Sequence, residues 1–202
     1  MITIFVTGGV GSGKSTLISF LGEHGAATVQ ADEVGHKNLF DPQVKEELRA
    51  AFGADVFDDQ GEVVRSALAA KAFVNKESTD LLDSITLKYV YQRSLEEIQE
   101  LGKTHAVVVL EMAILDGRDD FYKHADLVIA VTTSPEVRVK RLMESRGFSE
   151  QDARNRLARQ VPESQRLSIA DVVFTNDGTR EEFYQQIEQW WSSFVAEHPE
   201  IG

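Results

Sequence analysis

The 202-residue chain carries 33 Asp and Glu against 21 Lys and Arg, a formal net charge of −12, with 42% hydrophobic residues and no cysteine. Missing thiols exclude a disulfide framework, a thiolate zinc site, an iron–sulfur cluster and a cysteine nucleophile, and make a reducing cytoplasm the expected compartment. The acidic balance argues against generic nucleic-acid binding, and no apolar run approaches the ~18 residues of a membrane span, the longest being about Ala106 to Leu110.

The opening Ile2-Thr3-Ile4-Phe5-Val6 is β-branched and aromatic and stops at Gly8-Gly9, which predicts a short strand buried on both faces. It has no basic region or cleavage site, so it is expected to belong to the fold and not to be a signal peptide. From Lys14, Leu17, Ile18 and Leu21 recur at helical spacing, with Gly22 and Gly25 as the stop. Ala27-Thr28-Val29 predicts a second strand, running into the polar Gln30-Ala31-Asp32-Glu33 and completing a first β-α-β unit. Residues 42–102 carry broken amphipathic stripes separated by turn signals at Gly53 and Asp58-Asp59-Gln60-Gly61, and are expected to be mostly helical.

Two further apolar runs, 106–110 and 127–131, predict buried strands, the first closed by Glu111 and the second by Thr132-Thr133-Ser134-Pro135. There Ser134 is placed to cap a helix that begins at Pro135. Ser149 to Asp152 and Thr179 to Glu182 have the spacing of a hydroxyl followed three residues later by a carboxylate, a helix-start signature. Val172-Val173-Phe174-Thr175 predicts the last strand, turning at Asn176-Asp177-Gly178 into a helix that contains Trp190-Trp191, expected there for packing. Continuous apolar strands alternating with helices predict a parallel sheet covered by helices on both faces, a doubly wound α/β fold in one domain. Its core is expected at about 1–40, 103–135 and 170–202, with a helical acceptor-side insertion at 41–102 and a helical lid at 136–166.

Gly8-Gly9-Val10-Gly11-Ser12-Gly13-Lys14-Ser15 fits G-x-x-x-x-G-K-[ST], between a predicted strand and a predicted helix. Glycines let the backbone curl so that successive N–H groups meet one anion, and the helix N-terminus behind them favours negative charge. Gly9, Gly11, Ser12, Gly13, Lys14, Ser15 and Thr16 are therefore the expected nucleotide-binding residues. Lys14 would reach the terminal phosphates and the Ser15 hydroxyl would ligate Mg²⁺ held with ATP. The chain has no Asn-Lys-x-Asp base-reading segment, which disfavours a switch GTPase.

A small-molecule kinase needs in addition a carboxylate beside the acceptor hydroxyl and cations over the transferring phosphoryl group. Asp32, just past the second strand, is the candidate base, a helix cap being the alternative. Glu111, after the 106–110 strand, is the candidate for holding Mg²⁺ through water, or again a cap. Arg138, Lys140, Arg141, Arg146, Arg154, Arg156 and Arg159 concentrate positive charge in 138–166, as expected of a mobile lid that closes over anionic substrate and supplies arginines to the transition state; interspersed acids also fit a solvated face. The histidines at 24, 36, 105, 124 and 198 show no ligand spacing.

Over nearly its whole length the chain resembles the dephospho-CoA kinases, a branch of the phosphate-loop small-molecule kinases. The resemblance lies in Thr7 to Thr16, Gln30-Ala31-Asp32, Phe52-Gly53 with Gly61, Arg65, Leu68 and Phe73, then Ser134-Pro135-Glu136, Arg141-Leu142-Met143, Gln160, Ala170-Asp171 and Asn176. It implies transfer of the ATP γ-phosphate to the 3′-hydroxyl of dephospho-CoA, with Asp32 as the base, Lys14 and Arg141 also in the catalytic set, and Arg141 and Arg146 as the lid arginines. ATP and dephospho-CoA are the implied partners. The chain departs from the family pattern at Leu87-Lys88, where a His-Pro pair is usual, and in Glu111 to Gly117, which keeps the acid but not the proline and final glutamate. Gln30, His36 and Arg146 also depart from it. A related kinase acting on another small-molecule hydroxyl, such as a nucleoside or nucleotide, and a nucleotide-binding protein with decayed kinase activity are the alternative readings.

Overall fold

The computed structural model describes residues 1–113, 115 and 120–201, so Ile114, Asp116 and Gly117 of the departing segment lie outside the described residues. In chain order the elements are β1 (Ile2–Gly8), α1 (Lys14–Glu23), β2 (Ala27–Gln30), α2 (Ala31–Asn38), α3 (Pro42–Phe52), α4 (Arg65–Ala72) and α5 (Lys76–Leu101). They continue with β3 (Val107–Glu111), β4 (Leu127–Thr132), α6 (Pro135–Arg146), α7 (Glu150–Ala158), α8 (Glu163–Leu167), β5 (Val172–Thr175) and α9 (Arg180–Glu197). Two compact units divide them, Met1–Val29 with Ile98–Gly202, and Gln30–Glu97.

The first unit is built on a five-stranded sheet of order β2-β3-β1-β4-β5. β1 pairs in parallel with β3 (Ile2 beside Val107, Val6 beside Glu111) and with β4 (Ile4 beside Leu127, Gly8 beside Val131), and β4 in parallel with β5. All seven residues of β1 are buried, which is why its sequence has no polar-apolar alternation. Strand side chains alternate between faces. Ile2, Ile4 and Val6 accordingly pack with Leu17 and Leu21 of α1 and with Phe183, Ile187, Trp191 and Phe194 of α9. Phe5, facing the other way, meets the ring of Phe121 at 5.3 Å, and the Thr7 hydroxyl donates to the Leu115 carbonyl at 3.0 Å. Trp190 and Trp191 do pack: Trp191 is buried and Trp190 stacks on Phe194 at 5.1 Å. Among the described residues no helix is long and apolar enough to cross a membrane.

Helix starts follow the local chemistry at two of the three expected sites. Ser149 accepts from the Asp152 N–H at 3.1 Å, and Thr179 with Glu182 forms a complete capping box. Ser134 does occupy the N-cap of α6 with Pro135 following, but its hydroxyl makes no capping bond. Instead its N–H donates to Asp177 Oδ1 at 2.7 Å, so the turn after β5 anchors this corner.

The second unit is helical around Val44, Leu48, Phe52, Val56, Phe57, Leu68, Ala72 and Ile85. Asp41 caps α3, accepting from the Gln43 N–H at 2.8 Å, with Pro42 at the first helical position. The same carboxylate accepts from Arg93 at 3.0 Å. The Gln43 N–H, then Arg93, hold it below the usual carboxylate range.

Candidate active site

The segment between β1 and α1 is a loop in which three successive carbonyls, those of Val10, Gly11 and Ser12, are engaged by side chains from far along the chain. Val10 O accepts from Arg138 Nε at 2.8 Å, Gly11 O from Arg141 Nη1 at 3.3 Å, and Ser12 O from Asn176 Nδ2 at 2.8 Å and Thr133 Oγ1 at 3.0 Å. In a trans peptide the carbonyl of one residue and the N–H of the next point opposite ways. Tying down these carbonyls therefore turns the Gly11 and Gly13 N–H groups toward the other side, while the Ser12 N–H closes the loop on Gly9 O at 3.2 Å. Lys14 and Ser15 open α1, where N–H groups have no intrahelical acceptor. The first turn of α1 carries no acidic residue and its N-cap, Gly13, supplies no side chain. What results is a concave array of backbone donors on a helix N-terminus, a ready anion site.

Gly13 is demanded twice. Its φ of 100° lies in the left-handed region, and a Cβ there would come within 2.2 Å of Asn176 Nδ2. Asn176 is only 5% exposed, and besides holding Ser12 it accepts from Arg141 Nη2 at 3.1 Å. One side chain thus links the turn after β5 to both the loop and α6.

Lys14, with its side chain 11% exposed, folds back over the loop: Nζ donates to Gly8 O at 2.9 Å and lies 3.8 Å from Glu111 Oε1. Pairing of Val6 with Glu111 places this carboxylate at the loop. Ser15 is exposed and Thr16 half-buried at the start of α1. The loop residues, Lys14, Glu111 and Arg141 are thereby brought together within the first unit.

Asp32 belongs to the second unit. Where the sequence suggested a polar stretch after β2, α2 begins directly, so Asp32 sits in its first turn, exposed. The N-cap is Gln30, which leaves Asp32 a first-turn residue rather than the cap.

The basic run of 138–166 divides by position. Arg138 and Arg141 turn inward onto the loop, whereas Lys140 lies 3.9 Å from Glu144, Arg154 pairs with Glu150 at 2.8 Å, and Arg156 lies over the Phe148 ring at 5.1 Å. Acids four residues away on the same helix face account for the outward pairs. Arg146 is exposed in the last turn of α6. Val139, Leu142 and Ala153 form a small core with Val10, Phe148 and Leu157, so α6 is a wall of the loop. Sequence reasoning gave no loop-holding role to Arg138, Thr133, Gln160 or Asn176, because each is 121 to 164 residues from its partner.

Comparison with known proteins converges on one family. The family model described as dephospho-CoA kinase matches residues 2–182. A dephospho-CoA kinase of Corynebacterium glutamicum is 39% identical over 202 residues, covering 98% of this chain and 97% of that one. Among solved structures, dephospho-CoA kinase from Campylobacter jejuni matches with a TM-score of 0.71 at 25% identity, covering 95% of this chain and 96% of that one. A protein from Thermus thermophilus matches with a TM-score of 0.78 at 26% identity, covering 98% of this chain and 97% of that one.

Proposed function

The chain belongs to the dephospho-CoA kinase family, and we propose that it transfers the γ-phosphate of ATP to the 3′-hydroxyl of dephospho-CoA, giving ADP and coenzyme A. The observation that carries this reading is the loop at Gly8–Lys14: three successive carbonyls tied to protein donors, with backbone N–H groups and a helix N-terminus left for phosphates.

In this mechanism the loop N–H groups hold the phosphate chain, and Lys14 exchanges Gly8 O and Glu111 for phosphate oxygens. The 3′-hydroxyl oxygen bonds to the γ-phosphorus while Asp32 takes its proton; the bond from the γ-phosphorus to the bridging oxygen breaks and ADP leaves. Arg141 and Arg146, both on α6, are the cations assigned to the transferring group.

Magnesium fits the donors at hand. The exposed Ser15 hydroxyl would hold the ion directly and the Glu111 carboxylate through water, both being hard oxygen groups. Among the described residues no group of three or more His, Cys, Asp or Glu could hold an ion, and the ion would be held together with the nucleotide phosphates. When bound, the ion offsets charge on the phosphates.

ADP release measured with Mg·ATP and dephospho-CoA, beside a control without acceptor and beside Lys14→Ala, tests the proposal. Acceptor-dependent ADP release that the variant loses by on the order of 10²-fold or more is expected. ATP binding without acceptor-dependent turnover, or a Lys14→Ala enzyme of unchanged kcat, refutes it.

A further inference from the structure

Arg138 is the outlier of the basic run. Only 8% exposed, its guanidinium is removed from water, and that burial lowers its pKa while Glu163 works in the other direction. Among the described residues no carboxylate lies within ion-pairing distance of it. Its partners are neutral: Nε donates to Val10 O at 2.8 Å and Nη2 donates to Gln160 Oε1. Gln160 Oε1 in turn accepts the Val10 N–H at 3.1 Å. Arg138 and Gln160 thus grip one residue, Val10, by both its backbone groups.

The guanidinium also lies against Gly9. A Cβ at Gly9 would come within 2.2 Å of Nη2, 2.6 Å of Cζ and 2.9 Å of Nη1. Gly9, unlike Gly8, Gly11 and Gly13, has no positive φ. Its φ does not itself call for glycine, and the space that a Cβ at position 9 would need is filled by the Arg138 guanidinium.

Burying a cation without an anionic partner is unfavourable, and a merely structural contact would be made as well by an apolar side chain. What this cation does that no apolar residue does is hold the Val10 carbonyl outward, which sets the Gly11 N–H inward, and place positive charge behind the loop. We infer that Arg138 and Gln160 form a latch that presets the phosphate loop in its anion-binding shape. Arg138 is a positioning residue, acting through the Gly9–Gly11 backbone. The inference rests on the nucleotide-binding half of the proposed function and is independent of which acceptor is used.

The test is therefore nucleotide binding without acceptor. Mg·ADP titrated calorimetrically into Arg138→Ala, Gln160→Ala and the double variant is expected to show Kd raised about 10- to 100-fold by the first, less by the second, and no further by the double. In the same assay Gly9→Ala weakens binding in the wild-type background, and adds nothing to Arg138→Ala, whose truncation removes the overlap. Arg138→Lys, which keeps the charge but not the fork, is expected to recover under half of the lost binding free energy. Should Arg138→Ala prove unstable, the Gln160→Ala arm carries the test, an unchanged Mg·ADP Kd overturning the latch. Additive effects of the Arg138 and Gln160 substitutions, an equal loss from Gly9→Ala in both backgrounds, or a lowered melting temperature with unchanged Mg·ADP affinity would each overturn the latch. Failure of dephospho-CoA turnover with these affinities as expected would overturn the proposed acceptor alone.

Discussion

Asn176→Ala is the sharpest probe of how the loop is held, because one buried side chain serves both Ser12 and Arg141. Removing Nδ2 takes one of two donors from Ser12 O, leaving Thr133 Oγ1 at 3.0 Å. That loss is worth about 1 kcal/mol for a neutral hydrogen bond. Removing Oδ1 deprives Arg141 of an acceptor; a bond to a charged group is worth about 1.5–3 kcal/mol, and the half-buried guanidinium regains water, so the low end applies. The sum is about 2–3 kcal/mol, or about 4–12 °C in Tm for a domain of this size. Both tryptophans pack in the core of the first unit, so urea unfolding followed by their fluorescence reports on the unit that contains the loop. Thr133→Val, which removes the other donor to Ser12 O, is the companion measurement and is expected to cost about 1 kcal/mol. An Asn176→Ala loss below about 0.5 kcal/mol would show that water substitutes for both bonds and that the buried geometry is not what holds the loop.

Asp32→Asn is expected to lower kcat by on the order of 10²–10⁴ with Mg·ADP affinity unchanged, the signature of a general base; a loss under tenfold assigns it to positioning. Gly13→Ala must both adopt φ near 100° and displace Asn176, so it is expected to cost at least about 2 kcal/mol and most of the nucleotide affinity, checked by thermal melts with and without ADP. At α9, Thr179→Ala is expected to cost about 1 kcal/mol in urea melts. The Thr179 N–H holds Glu182 below the usual carboxylate range. That stabilisation is complete above the unfolded pKa and is lost as pH falls through the lower folded one, so melts of wild type and Glu182→Gln should converge in acid.

What was legible in the sequence was what short stretches determine. The Ile2–Val6 run buries its apolar side chains as a strand covered on both sides, and the glycine-rich turn after it opens the first helix as the G-x-x-x-x-G-K-[ST] pattern predicts. Thr179-Arg180-Glu181-Glu182 contains both halves of its capping box. Ser134 has the same local signal, yet its corner is fixed by Asp177, 43 residues away. Asp32 reads as a loop carboxylate because helix α2 starts with no side-chain cap to announce it.

Strand order lies beyond any local signal: β1 and β2 are consecutive in the chain, but β3 pairs beside β1. The same holds for the outer shell of the loop. The sequence by itself determined that Gly8 to Thr16 would form a glycine-rich turn on a helix N-terminus, since backbone N–H groups placed there need nothing from afar to attract an anion. Only the tertiary structure decided what turns those N–H groups toward the ligand. That depends on Thr133, Arg138, Arg141, Gln160 and Asn176 engaging three carbonyls and one N–H across more than 120 residues, and hydrogen bonds of that reach are set by how the strands and helices pack.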